Sequence, residues 1–143
     1  MGIKILLIHG PNLNLLGQRD ASLYGLLTSE AIVDHLQSNF DVDLNYFQSN
    51  SEFEIIDCIH AAPLQYSGII INAGAFSHTS IGVSDAIAAI KLPVINVHIS
   101  NIEQREPFRQ TDMLQGVCKG SIVGLGTDGY ALALECLLDL VNA

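Results

Sequence analysis

Short, unbroken apolar runs alternating with helix-length amphipathic segments constrain this chain more than any other feature. Ile5 to Ile8 and Gly68 to Ile71 contain no polar residue. A strand with one wet face would alternate polar and apolar, so these runs predict strands covered on both faces. Strands are expected at Lys4 to His9, Asp43 to Gln48, Gly68 to Asn72, Pro93 to His98 and Ser121 to Gly124. Between them, Thr28 can cap a helix whose inner face is Ile32, Val33, Leu36 and Phe40. A second helix near Glu52 to Ala62 would use Phe53, Ile56 and Ile59 and stop at Pro63. A third, from Ser80 to Ile90, would turn Val83, Ala86, Ile87 and Ile90 inward, and a last one runs from about Asp128 to Val141.

That succession is α/β. It predicts a doubly wound, five-stranded parallel sheet with helices on both faces, in the flavodoxin-like order 2-1-3-4-5, as one domain over residues 1–143. Apolar residues make up 49% of the chain and charged residues 15%, and the mean hydropathy is +0.36. A membrane protein would explain this, but no apolar run is long enough to span a bilayer. A two-sided sheet and a surface hidden in an oligomer remain. The net charge of −9 leaves no basic patch to neutralise phosphates, which argues against nucleic-acid binding. Cys58, Cys118 and Cys136 form no CxxC pair and have no ligand spacing to histidine; Cys58 and Cys136 fall in apolar helical patterns and are expected as buried free thiols. Met1-Gly2-Ile3-Lys4 does not resemble a signal peptide, so the cytoplasm is the expected location.

Ligands of such sheets bind beyond the carboxyl ends of the strands, where the strand order reverses. Strand one is followed by Gly10-Pro11-Asn12-Leu13-Asn14-Leu15-Leu16-Gly17, then Arg19 and Tyr24. Strand three is followed by Asn72-Ala73-Gly74-Ala75-Phe76-Ser77-His78, and strand four by His98-Ile99-Ser100-Asn101, then Arg105 and Arg109. Three loops at one rim thus carry all three arginines of an acidic chain, which predicts a site for a small polar ligand. The first loop, Gly10-Pro11-Asn12, lacks GxGxxG, and GxxxxGK[ST] is absent from the chain, so a dinucleotide or P-loop phosphate site is not expected.

The segments GPNLNLLG, Arg19 with Tyr24-Gly25, GAFSHTS, VHISN and REPFR resemble the type II 3-dehydroquinate dehydratases. The similarity runs nearly end to end and includes Gln48-Ser49-Asn50, Gly124-Leu125-Gly126 and Gly129-Tyr130. It implies dehydration of 3-dehydroquinate to 3-dehydroshikimate in the shikimate pathway of aromatic amino acid biosynthesis, with no metal, Schiff base or other cofactor. It also implies a homo-oligomer, a dodecamer built as a tetramer of trimers. In the roles the resemblance implies, Tyr24 takes a proton from C2 to give an enolate, and Arg19 supplies the cation that favours phenolate. His98 protonates the departing hydroxyl, and Asn12 holds the oxygen or water that stabilises the enolate. The amides of Ile99 and Ser100, with the Ser100 hydroxyl, bind the substrate carboxylate. Asn72, His78 and Arg109 bind ring hydroxyls, Arg105 lies near the site in a less direct role, and Asp85 reaches the site of a neighbouring subunit.

Three departures matter. Asn96 stands where the family usually has Glu, and it shares a strand face with His98. Its loss of charge predicts a weakened acid, improved at higher pH by Asn96→Glu, and makes a non-catalytic binding relative the competing reading. Gln18-Arg19-Asp20-Ala21 lacks the usual Pro, which predicts looser closure of that loop. Gln110-Thr111-Asp112 replaces the usual two His and a Ser, which sets an acid near an anionic substrate.

Overall fold

The computed structural model describes residues 2–142. Its sheet contains β1 (Lys4–His9), β2 (Asp43–Gln48), β3 (Gly68–Asn72), β4 (Val94–His98) and β5 (Gly120–Val123), all parallel in the order β2-β1-β3-β4-β5. The helices are α1 (Ala21–Tyr24), α2 (Ser29–Asn39), α3 (Glu52–Ala61), α4 (Ile81–Ala89) and α5 (Asp128–Asn142). The expected fold class and strand order are those observed.

Alternation along the strands builds two cores. Ile5, Leu7, Ile70, Ile95 and Val97 face α2 and α5, meeting Ile32, Leu36, Leu134 and Leu137. Leu6, Ile8, Ile69, Ile71 and Val94 face α3 and α4, meeting Ile55, Ile59, Val83 and Ile87. Each such side chain contributes on the order of 1.5–3 kcal/mol by leaving water. The helix starts follow their caps: the Thr28, Ser51 and Ser80 hydroxyls accept from the N–H groups of Ala31, Glu54 and Val83.

Some expectations need correction. On α3 the inward residues are Ile55 and Ile59, with Ile56 half-buried, and Phe53 is 72% exposed. Phe40 and Ile90 are helix-ending residues, half-buried at the core margins. Cys136 is exposed and Cys58 half-buried, and all three thiols are free. The stretch Gly10 to Gly25, read as loop, contains the short helix α1, capped by Asp20. No helix among the described residues is long and apolar enough to cross a membrane.

Candidate active site

β1 and β3 end in register at His9 and Asn72, and the chain leaves them in opposite directions around the sheet. The two exits touch. Gly10 N–H donates to the Asn72 carbonyl at 2.8 Å, and a Cβ on Gly10 would run into the Ala73 carbonyl. Gly74, at φ 59°, closes against Pro11 in the same way. Asn12 adopts a left-handed φ of 68°, and its N–H donates to Asn50 Oδ1 at 3.0 Å, so the loop after β2 braces the loop after β1.

Above this junction lies a cavity of about 100 Å³, room for a small polar molecule rather than a dinucleotide. Asn12, Arg19 and Tyr24 line it from the first loop, Asn72 and His78 from the third strand and its loop, and His98, Ile99, Ser100, Arg105 and Arg109 from the fourth. Asp85 does not reach it; it sits on the exposed face of α4. Among the described residues no three His, Cys, Asp or Glu side chains converge to hold a metal ion.

Two arginines meet Tyr24, by different contacts. Arg19 stacks on the ring, its Cζ 3.9 Å from the centroid, while Arg105 Nη1 donates to the Tyr24 oxygen at 2.8 Å. The direct cationic donor is therefore Arg105, which the sequence reading left at the margin. Arg105 also donates to Ser100 Oγ at 3.3 Å and lies 3.6 Å from Glu106. Asp20 accepts from the Ser22 hydroxyl and, next in weight, the Ser22 N–H, bonds that hold its carboxyl below the usual range and fix the turn carrying Arg19 and Tyr24 without a proline. The N–H groups of Ile99 and Ser100 make no backbone hydrogen bond among the described residues, which leaves them available to an anion.

His98 is buried with a carboxylate against it. Its Nε2 lies 2.8 Å from Asp112 Oδ2, and the two side chains are 5% and 4% exposed. Burial pushes the Asp112 carboxyl upward, but the bonds from His98 and Leu114, the His98 charge and the Asn96 amide outweigh it and hold the group below its ordinary value. The expectation that Asn96 leaves His98 without a charged partner is thus overturned. Asp112 points at the histidine. His78 stacks on His98, ring centroids 6.0 Å apart and planes 22° apart, and its Nδ1 lies 2.7 Å from the Thr111 carbonyl. A carbonyl can only accept, so Nδ1 carries the proton and Nε2 is left for a ligand.

Behind the cavity, Asn72 Nδ2 donates to the Tyr130 hydroxyl at 3.0 Å, and Asn72 Oδ1 accepts from Gly74 N–H at 3.1 Å. Tyr130 lies 2.7 Å from His9 Nε2, and His9 Nδ1 lies 2.9 Å from the Tyr46 hydroxyl. Burial drives His9 down to about 3, so the ring is neutral, and burial pushes the Tyr130 phenol well above its usual value.

The profile described as Dehydroquinase class II matches residues 3–138. The chain belongs to the dehydroquinase class II family. It is 47% identical to the 3-dehydroquinate dehydratase of Halothermothrix orenii over 97% of this chain and 96% of that one. It is 51% identical to that of Bacillus mycoides, over 95% of each. Among solved structures, the type II dehydroquinase from Butyrivibrio crossotus superposes with a TM-score of 0.90 at 39% identity, covering 99% of both chains.

Within this dehydroquinase fold, sequence reasoning missed the contact made by one side chain and undervalued another. Asp112 was seen only as a charge hostile to an anionic substrate, although its appearance together with the missing carboxylate at position 96 was a paired signal. Arg105 was linked to Tyr24 by nothing local, since 81 residues separate them.

Proposed function

We propose that this chain is a type II 3-dehydroquinate dehydratase, a hydro-lyase that converts 3-dehydroquinate to 3-dehydroshikimate. The observation that carries the reading is the Tyr24 hydroxyl held by the Arg105 guanidinium, in the cavity that His98, paired with the buried Asp112, also lines. A phenol becomes a usable base when a cation stabilises its oxyanion, and Arg105 and Arg19 are both placed to do so. Tyr24 takes the C2 proton, and the pair left on carbon delocalises into the neighbouring ketone as an enolate, stabilised through Asn12. The enolate then expels the hydroxyl while His98 gives it a proton, and water leaves. The Ile99 and Ser100 amides hold the substrate carboxylate, and Asn72, His78 and Arg109 hold its hydroxyls.

The enzyme acts in the shikimate pathway, in the cytoplasm, as a homo-oligomer assembled as a tetramer of trimers. Support for assembly comes from large apolar side chains left in water: Leu26, Phe53, Leu64, Ile81 and Phe108 are each more than 60% exposed. Asp85 lies one helical turn from Ile81 on α4, on a face suited to a subunit contact.

The test is an ultraviolet assay of the conjugated enone formed from 3-dehydroquinate, with Tyr24→Phe beside the parent enzyme. Turnover is expected in the parent and a loss on the order of 10²–10⁴-fold in the variant. A Tyr24→Phe enzyme as fast as the parent would remove Tyr24 as the base.

A further inference from the structure

We propose that Asp112 is the residue that positions His98 and supplies its negative partner, and that Asn96 serves as the clamp for Asp112. In this chain the carboxylate comes from the segment before β5, not from β4 itself. The inference rests on the reading of His98 as the acid.

Both oxygens of Asp112 are committed. Oδ1 accepts from Leu114 N–H at 2.9 Å, and Oδ2 accepts from Asn96 Nδ2 at 2.7 Å while facing His98 Nε2 at 2.8 Å. The carboxylate therefore cannot turn away from the ring. Asn96 does not hold the ring directly, because its Nδ2 is 3.5 Å from His98 Nε2. Its second contact is Ser121 Oγ at 3.2 Å, across the β4–β5 ladder where Asn96 and Ser121 pair. Asn96 Oδ1, buried, has no partner among the described residues. Turning the amide over to pair it would set that oxygen against the Asp112 carboxylate. The site thus uses Asn96 for its N–H groups, and an amide that keeps an orphan oxygen to hold a neighbouring carboxylate is a support for that carboxylate.

The charges around His98 give the arrangement its purpose. Arg19, Arg105 and Arg109 line the same cavity, and His78 stacks on the ring. All of these groups disfavour a further positive charge or at best ignore it. Asp112 is the carboxylate bonded to His98 among the described residues, and its field also reaches Cys118, whose thiol is pushed up to about 12 by burial first and Asp112 second. With Nε2–H given to Asp112, Nδ1 is the nitrogen left to face the cavity. That nitrogen hands its proton to the departing hydroxyl as the C–O bond breaks. The bond pair leaves with the oxygen as water, and the enolate pair becomes the new C=C bond.

The experiment compares His98→Asn, Asp112→Asn, Asp112→Ser, Asn96→Glu and the double variant Asn96→Glu/Asp112→Ser, measuring kcat, KM, pH profile and melting temperature. Asp112→Asn is expected to lower kcat about 10- to 100-fold, as loss of an outer partner of a functional histidine does, with KM little changed. The high-pH limb of its kcat profile should move to lower pH. Asn96→Glu alone should be less active and less stable, because it sets a second carboxylate beside a buried one. The double variant, which returns the charge from the other side, should recover most of the kcat lost in Asp112→Ser, together with the parent pH profile. An inactive His98→Asn beside an Asp112→Asn enzyme of parental kcat and profile would overturn the inference. So would a folded double variant no faster than Asp112→Ser. If His98→Asn keeps parental activity, the acid reading itself falls, and that result is distinct from either of the others.

Discussion

At the scale of single residues, the proton positions around Asn72 follow from counting donors. Tyr130 is fully buried and its oxygen accepts from Asn72 Nδ2, so its own proton needs an acceptor. His9 Nε2, 2.7 Å away, is the available one, which places the imidazole proton on Nδ1, toward Tyr46. Tyr130→Phe would strip His9 Nε2 and Asn72 Nδ2 of a partner together. The expected cost is about 1–3 kcal/mol for each orphaned group, read by urea unfolding, with a raised KM because Asn72 loses its anchor. Unfolding and KM both equal to the parent's would refute this chain of donors. Residues that announce themselves by type and strand-end position, such as His98 and Asn72, were legible in the sequence. Asp112 was not, because its meaning depends on which oxygen faces which ring, and that is set by Leu114 and Asn96 in three dimensions.

Among the elements, the strands were easiest to read, since Ile5 to Ile8 and Gly68 to Ile71 must be dry on both faces. Helix faces were less certain where two apolar stripes compete. Phe53-Ile56-Ile59 and Ile55-Ile59-Ala62 both satisfy helical spacing, and only docking of α3 on β1 and β3 selects the second. Helix α1 escaped notice because four residues carry no periodicity; its signal was Asp20 followed two residues later by Ser22. The junction between β1 and β3 offers a prediction at this scale. Gly10→Ala would force its methyl group onto the Ala73 backbone, which cannot move without shifting β3. Overpacking of this kind costs about 1–3 kcal/mol. Spreading the two loops would also separate Asn12 from Asn72, so kcat/KM should fall far more than in Gly116→Ala, where nothing lies within 4 Å of the added carbon and φ is not positive. Equal kinetics in the two variants would show that the junction is not what sets the site.

For the whole molecule, the acid response is governed by a few buried groups more than by the net charge of −9. His9 is held neutral down to about 3, against an ordinary value of 6.5. Between those values the unfolded chain binds a proton that the native fold excludes, so stability is complete above 6.5 and declines as the pH falls toward 3. The limiting slope from this one group is about 1.4 kcal/mol per pH unit. Asp112 acts in the same direction but later: its lowered carboxyl favours the fold above the ordinary carboxylate range, and that share is lost as the pH drops through it. Stability should therefore begin to fall near pH 6.5, well before carboxylates titrate. Denaturation midpoints between pH 8 and 4, at one protein concentration so that assembly does not shift them, would show the decline. His9→Gln, which has nothing to titrate, should be less stable at pH 8 yet lose less between pH 6.5 and 4. A variant whose slope matches the parent's would assign the early decline to other groups and leave His9 as a packed, electrostatically silent residue.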